Sequence, residues 1–169
     1  MRVLGVGLAL AAALLLQTTV TGMVRGVVPV DLVLVVVVGA ALAFGPVTGL
    51  VTGTIGGLIQ DALTSGILGM GGLAKTLVGY AAGQFGTQFI VTATVPRLLV
   101  FAVATAAHAA LLMGLYGLLG LRSFPDPVPG VAIQAVGNAL VGVFGVRAVD
   151  AVPRILERRR ANRGLRVKR

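Results

Sequence analysis

The chain has 169 residues, of which 57% are apolar and 11% are charged, and its formal net charge is +9. An ordinary soluble domain carries about 25% charged residues, and a fold of this size lacks the interior to bury so much apolar surface. The composition therefore excludes a soluble enzyme and a disordered chain as first interpretations, and it predicts a polytopic membrane protein.

Six apolar segments have the character of membrane-spanning helices, which need about 20 mostly apolar residues. They are Val3–Val20, Val30–Phe44, Val47–Gln60, Leu73–Phe89, Leu98–Leu121 and Val131–Val146. The first resembles a signal peptide, but no small-x-small cleavage site follows it, so we interpret it as an uncleaved helix. The β-branched run Val35–Val38 is assigned to a helix, because an isolated strand in a bilayer leaves its backbone unpaired. We predict an all-α polytopic bundle of about six transmembrane helices, with five as the alternative.

Basic residues are concentrated after the last apolar segment. Residues 151–169 hold eight of the fourteen Lys and Arg residues and one acid, Glu157. We therefore predict a single transmembrane domain over residues 1–153 and a basic cytoplasmic tail over residues 154–169, which attracts anionic membrane lipids. A nucleic-acid partner is not expected, since the charge lies in one short tail and the chain has no Trp and two Tyr to stack on bases.

The orientation follows from the distribution of Lys and Arg along the remaining chain. With six segments, both termini lie on one side of the membrane, together with Arg97, Arg147 and the tail. Arg2 is on that side as well, whereas Arg25 and Arg122 fall on the other. The positive-inside rule therefore predicts that both termini are cytoplasmic.

Six glycines at four-residue spacing form the strongest local pattern. They are Gly45 just before the third segment, Gly49, Gly53 and Gly57 within it, and Gly79 and Gly83 in the fourth. Residues four apart share one face of a helix, and glycine there lets another backbone approach closely. The pattern predicts close helix packing inside the bundle or a face that docks a partner.

A few polar residues lie in or beside the apolar segments. Asp61, which continues the glycine series, and Lys75 either pair with each other or lie solvated at the membrane interface, because charges at membrane depth are costly. A proton or ion relay is less favoured, since a relay usually needs more than one buried carboxylate. His108 is expected to form a hydrogen bond with a neighbour, and Gln134 and Asn138 are spaced to bond across helices.

The sequence offers no constellation that supports catalysis. Cysteine is absent and His108 is the single histidine, so thiolate or His-rich metal sites and cysteine nucleophiles are excluded. No nucleophile accompanies the histidine, and no paired carboxylates are present for acid–base chemistry. We therefore predict no catalytic, metal-binding or cofactor-binding residue.

The central segment carries a more specific motif. It comprises Gly57-Leu58-Ile59-Gln60-Asp61, then Leu68-Gly69, then Leu73-Ala74-Lys75-Thr76-Leu77-Val78-Gly79-Tyr80, and Gly83. Over residues 45–86 this pattern resembles the family of the rod shape-determining protein MreD, as do the chain length, the segment count and the basic end. Asp61, Lys75 and Tyr80 are the polar residues that lie in the matching motif.

The resemblance implies a multi-pass protein of the bacterial inner membrane that belongs to the cell-elongation machinery. Its implied role is a non-enzymatic scaffold or regulator of cell shape and lateral peptidoglycan synthesis. The implied partners are an MreC-like protein, the actin-like MreB, and the RodA glycosyltransferase with its transpeptidase partner. The family has no established catalytic residues, and no cofactor is implied.

A second hypothesis is a small-molecule binding subunit similar to the substrate-capture subunits of energy-coupling-factor vitamin transporters. Those subunits are also six-helix proteins of this length, and Ala9 and Ala13 fit the small-residue spacing with which they dock. A vitamin pocket needs convergent polar and aromatic groups. The absence of Trp and the few polar residues on the outer side argue against this hypothesis.

Overall fold

The computed structural model describes residues 2–23, 30–64, 67–89, 93–121 and 126–166, with side chains over residues 3–19, 30–64, 67–89, 93–121 and 126–149. Six helices and no strand lie in these ranges, which confirms the all-α class. The helices are α1 (Arg2–Met23), α2 (Leu32–Phe44), α3 (Pro46–Leu63), α4 (Met70–Gln88), α5 (Thr94–Leu118) and α6 (Val128–Arg166).

The helix bounds differ from the predicted segments most at the end of α6, which continues to Arg166 instead of Val146, and also around residues 61–72. Helix α3 continues to Leu63, and α4 begins at Met70, so Asp61 lies in the last turn of a helix rather than in a loop. Pro96 lies in the first turn of α5, where the missing N–H has no intrahelical partner to lose. The backbone of α6 stays helical through residue 166 and so includes most of the predicted tail, whose side chains lie outside the described part.

Helix α2 is the centre of the bundle and contacts each of the other five helices. Its side chains are buried on several faces, with Val33, Leu34, Val37 and Ala41 at most 1% exposed. The valine run is therefore helical, as predicted, and it is covered by protein rather than by lipid. One apolar cluster joins α2 to α4, α5 and α6, and a second joins it to α1.

Close backbone contact between α3 and α4 involves most of the four-spaced glycines. A Cβ on Gly49 would collide with the carbonyl oxygen of Gly79, and a Cβ on Gly57 would lie 2.5 Å from the Cα of Gly72. A Cβ on Gly83 would collide with Pro46 at the start of α3. These glycines therefore let the two helices pack backbone against backbone.

Gly45, the first glycine of the series, has a different role. Its φ of 93° lies in the left-handed region, which glycine adopts without steric cost. A Cβ built there meets no atom within 4 Å, so Gly45 provides the sharp turn between α2 and α3 rather than a packing surface of its own.

The bundle has two chemically different ends. At the first, which we call the Asp31 end, Asp31 begins α2 and Asp61 lies close to the start of α4, with Asp126 just before α6. At the opposite end, the Arg97 end, α5 begins and Arg147 donates a hydrogen bond to Thr94. The carboxylates of Asp31, Asp61 and Asp126 therefore lie at one end of the bundle, and the guanidinium groups of Arg97 and Arg147 lie at the other.

Two helices of the described part are long and apolar enough to cross a membrane, namely Thr94–Leu118 and Val128–Val149. Two shorter apolar helices are Val3–Thr19 and Leu32–Phe44. Large apolar side chains on the outer faces are exposed, including Val103 at 65% and Phe144 at 68%. Such surfaces fit a lipid environment rather than water.

The α3–α4 contact predicts that Gly53→Ala destabilises the bundle. The new methyl group would collide with the backbone of Lys75 and Thr76, which cannot rotate away as a side chain would. Overpacking of this kind costs about 1–3 kcal/mol. The matched control is Gly114→Ala on α5, where a Cβ meets nothing within 4 Å, and alanine favours a helix. Thermal unfolding in detergent should separate the two variants, and equal stabilities would contradict the close contact.

Candidate functional site

A buried ion pair lies at the Asp31 end of the bundle. Lys75 Nζ lies 2.8 Å from Asp31 Oδ2, with the two side chains 4% and 7% exposed. Asp31 is held in place as the N-cap of α2, because its Oδ1 accepts a hydrogen bond from the backbone N–H of Leu34 at 2.9 Å. An N-cap carboxylate satisfies a helix amide that would otherwise lack a partner. Asp31 therefore serves both the start of α2 and the charge of Lys75.

His108 on α5 is a second hydrogen-bond partner of the Lys75 ammonium group. Its Nε2 lies 3.2 Å from Lys75 Nζ. Because an ammonium group only donates hydrogen bonds, Nε2 is the acceptor and the imidazole is the neutral tautomer with its proton on Nδ1. The prediction that the lone histidine bonds to a neighbour is confirmed.

Asn138 connects α6 to the same cluster. Its Oδ1 accepts a hydrogen bond from the backbone N–H of Asp31 at 2.8 Å, and its Nδ2 donates to Thr105 Oγ1 at 3.0 Å. Thr105 in turn donates to the carbonyl oxygen of Phe101 within α5. The predicted bonding of Asn138 across helices is confirmed, whereas Gln134 lines a neighbouring cavity.

Asp61 is not the partner of Lys75, so the prediction that these two residues pair is wrong. Its Oδ2 accepts hydrogen bonds from the backbone N–H groups of Gly69 at 2.9 Å and Gly72 at 3.0 Å. These amides belong to the N-terminal end of α4, which attracts negative charge. The alternative that Lys75 is solvated at the interface is also wrong, since Lys75 is 3% exposed.

Tyr80, the third polar residue of the motif, lies away from this cluster. It is 42% exposed on the outer surface of α4, and its hydroxyl accepts a hydrogen bond from Gln84 Nε2 at 2.9 Å. The structure therefore separates the motif residues: Lys75 is inside the bundle, Asp61 caps α4, and Tyr80 is on the surface. Asp31 and His108, which sequence reasoning did not join to Lys75, are its actual neighbours.

A cavity of about 450 Å³ opens beside the ion pair at the Asp31 end, between α3, α4, α5 and α6. Asp31, Lys75 and His108 form part of its wall, together with Gln60 and Asp61. Among the described residues, no three His, Cys, Asp or Glu side chains cluster as metal ligands would. The polar groups around the cavity can instead orient a hydrogen-bonding ligand.

The buried pair predicts strong coupling between Asp31 and Lys75. Asp31→Asn retains an oxygen that can cap α2 but removes the charge, and Lys75→Met keeps the length of the side chain. Each single change should cost about 3–5 kcal/mol, because it leaves one buried charge without its counter-ion. The double variant should lose less than the sum of the single losses in the free energy of unfolding.

A second cycle serves as the control for this coupling. Asp61→Asn and Lys75→Met should be additive within about 0.5 kcal/mol, because the two side chains have separate partners. Coupling in the Asp61 cycle together with additivity in the Asp31 cycle would contradict the observed pairing.

Comparison with known proteins assigns the chain to a family. The family model for the rod shape-determining protein MreD matches residues 2–126, which includes helices α1 to α5 and the whole central motif. Searches of curated proteins and of solved structures returned no match. Because the family model covers well over half of the 169 residues, the chain belongs to the MreD family of rod shape-determining membrane proteins.

Proposed function

We propose that the chain is a non-enzymatic inner-membrane scaffold of the bacterial elongation machinery, through which lateral peptidoglycan synthesis is organised. Membership of the MreD family supports the broader role in rod shape determination. The proposed partners are an MreC-like protein, MreB, and RodA with its transpeptidase. The proposed transmembrane domain covers residues 1–153, and residues 154–169 form the basic segment that faces the cytoplasm and anionic lipid.

The scaffold proposal rests on one observation, which is that residues of the central motif hold helices of the bundle together. Gly53, Gly57 and Gly79 bring α3 and α4 into backbone contact. Asp61 joins the end of α3 to the start of α4, and Lys75 joins α4 to α2 and α5. Residues that define the family pattern therefore hold helices in a fixed arrangement, as expected of a protein whose task is to present surfaces to partners.

The charge distribution supports six membrane passes with both termini in the cytoplasm. Arg97 and Arg147 lie at one end of the bundle, and Asp31, Asp61 and Asp126 at the other. The positive-inside rule assigns the arginine end to the cytoplasm. Helix α2 has 13 residues, about 20 Å at 1.5 Å per residue, and its burial lets it cross without facing the full thickness of lipid.

This topology predicts the accessibility of single cysteines in a chain that has no native cysteine. A cysteine in place of the exposed Asp126 should react with a membrane-impermeant maleimide added outside the cell, because it lies at the proposed outer end. Gln88→Cys, at the exposed end of α4, should react only after the membrane is permeabilised. Labelling of both positions in intact cells would contradict six passes.

The scaffold role predicts the result of depletion in the native host. Cells that lose the chain should become round, and the wild-type chain should restore the rod shape. A tagged wild-type chain should retain an MreC-like protein during purification in mild detergent. Gly53→Ala should reduce both the restoration of rod shape and the retention of the MreC-like protein, in proportion to the amount of folded protein that it loses. Gly114→Ala should match the wild type in both measurements. Unchanged rod shape after depletion would contradict the proposal.

A further inference from the structure

The cavity at the Asp31 end has the size and position of a ligand site. Its volume of about 450 Å³ falls in the range of small-molecule pockets, which are commonly 300–1,000 Å³. It lies where α3 and α4 form one side and α5 and α6 the other. Its lining residues lie toward the proposed outer end of the bundle.

The two sides of the cavity have different chemistry. The α3–α4 side presents Gln60, Asp61 and Lys75, and α5 adds His108. The C-terminal part of α5 and the start of α6 present mostly apolar groups, including Leu112, Met113 and Val131, together with the hydroxyl of Tyr116 and the amide of Gln134. A ligand that fits both sides has one polar group and one apolar body.

The polar side needs a hydrogen-bond donor. Gln60 Oε1 is buried and has no hydrogen-bond partner among the described residues. A buried acceptor without a donor is unfavourable, and buried polar groups are normally paired. The described carboxylates that line the cavity are Asp31 and Asp61, whereas Lys75 is the single described cation there, so these side chains have a net charge of −1. Both features favour a ligand that donates hydrogen bonds and is positively charged.

We propose that this cavity binds a small organic cation. Its ammonium group lies beside the Asp61 carboxylate, where the Gln60 side chain rotates to accept a hydrogen bond at Oε1, and its apolar body packs against Leu112, Met113 and Val131. The proposal goes beyond the role in cell shape and does not depend on it. It also narrows the small-molecule hypothesis of the sequence analysis to one class of ligand.

The test uses three probes that share one apolar body and differ in the polar group: cyclohexylammonium, cyclohexanol and cyclohexanecarboxylate. Val131→Cys places a single thiol in the cavity wall of the full-length chain in lipid nanodiscs, and neutral N-ethylmaleimide reports its accessibility. Cyclohexylammonium should slow the labelling at concentrations about tenfold lower than cyclohexanol. Cyclohexanecarboxylate should be the weakest of the three.

Variants of the polar side assign the effect to named groups. Gln60→Lys places a cation where the ammonium group would bind and should abolish protection by cyclohexylammonium. Gln60→Glu should strengthen that protection, and Asp61→Asn, which retains an oxygen for the α4 amides, should weaken it. Asp126→Asn is the matched control, because it removes the same charge from an exposed position at the same end, outside the cavity wall. It should leave protection unchanged.

Two control measurements show that the protection is local to the cavity and that the variants are folded. Ala62→Cys, at an exposed position of α3, should be labelled at the same rate with and without each probe. Thermal unfolding confirms that each variant is folded before its protection is compared.

The remaining outcomes contradict the proposal. Equal protection by the three probes would indicate apolar binding alone, and strongest protection by the carboxylate would reverse the proposed charge. Protection by none of them would indicate a cavity that holds only water. Each of these results leaves the role in cell shape standing, since depletion and co-purification measure that role separately.

Discussion

The buried ammonium group of Lys75 is the constraint on which the arrangement of the helices depends. Lys75 is 3% exposed, and a buried charge without a partner is strongly unfavourable, so the lysine needs a counter-ion inside the protein. It finds its partners across three helices, with Asp31 at the start of α2 and His108 on α5. Asn138 then ties α6 to the backbone of Asp31. One charge therefore fixes the relative positions of α2, α4, α5 and α6.

The glycine contact and the ion pair reinforce each other. A Cβ on Gly53 would collide with the carbonyl oxygen of Lys75, so one of the close backbone contacts between α3 and α4 occurs at the residue that carries the buried charge. A larger residue at this position would shift α4 and with it the Lys75 ammonium. Because the hydrogen bonds to Asp31 and His108 have little tolerance in distance, packing on one face of α4 controls electrostatics on another.

The sequence allowed correct prediction of the helices but not of the partner of Lys75. Apolar segment lengths and the glycine spacing depend on local periodicity, which a single sequence displays directly. The pairing of Lys75 depends on which helix ends meet, and that is a property of the topology. Asp61 is the carboxylate closer to Lys75 along the chain, yet the start of α4 offers it two free amides, and these satisfy it first. Asp31 lies at the start of the second apolar segment, 44 residues before Lys75, and no local pattern relates the two residues.

The motif that identifies the family therefore has a physical explanation that does not involve chemistry on a substrate. Its glycines set the distance between α3 and α4, its aspartate caps α4, and its lysine fixes α4 against α2 and α5. Together these contacts hold α2, α3, α4 and α5 in a fixed arrangement. Tyr80 is the exception, because its side chain is 42% exposed and, within the described part of the chain, its hydroxyl bonds to Gln84 on its own helix. Tyr80 is a motif residue that helix packing does not use, and the outer face of α4 is therefore the first surface on which contact with the rod shape-determining machinery should be sought.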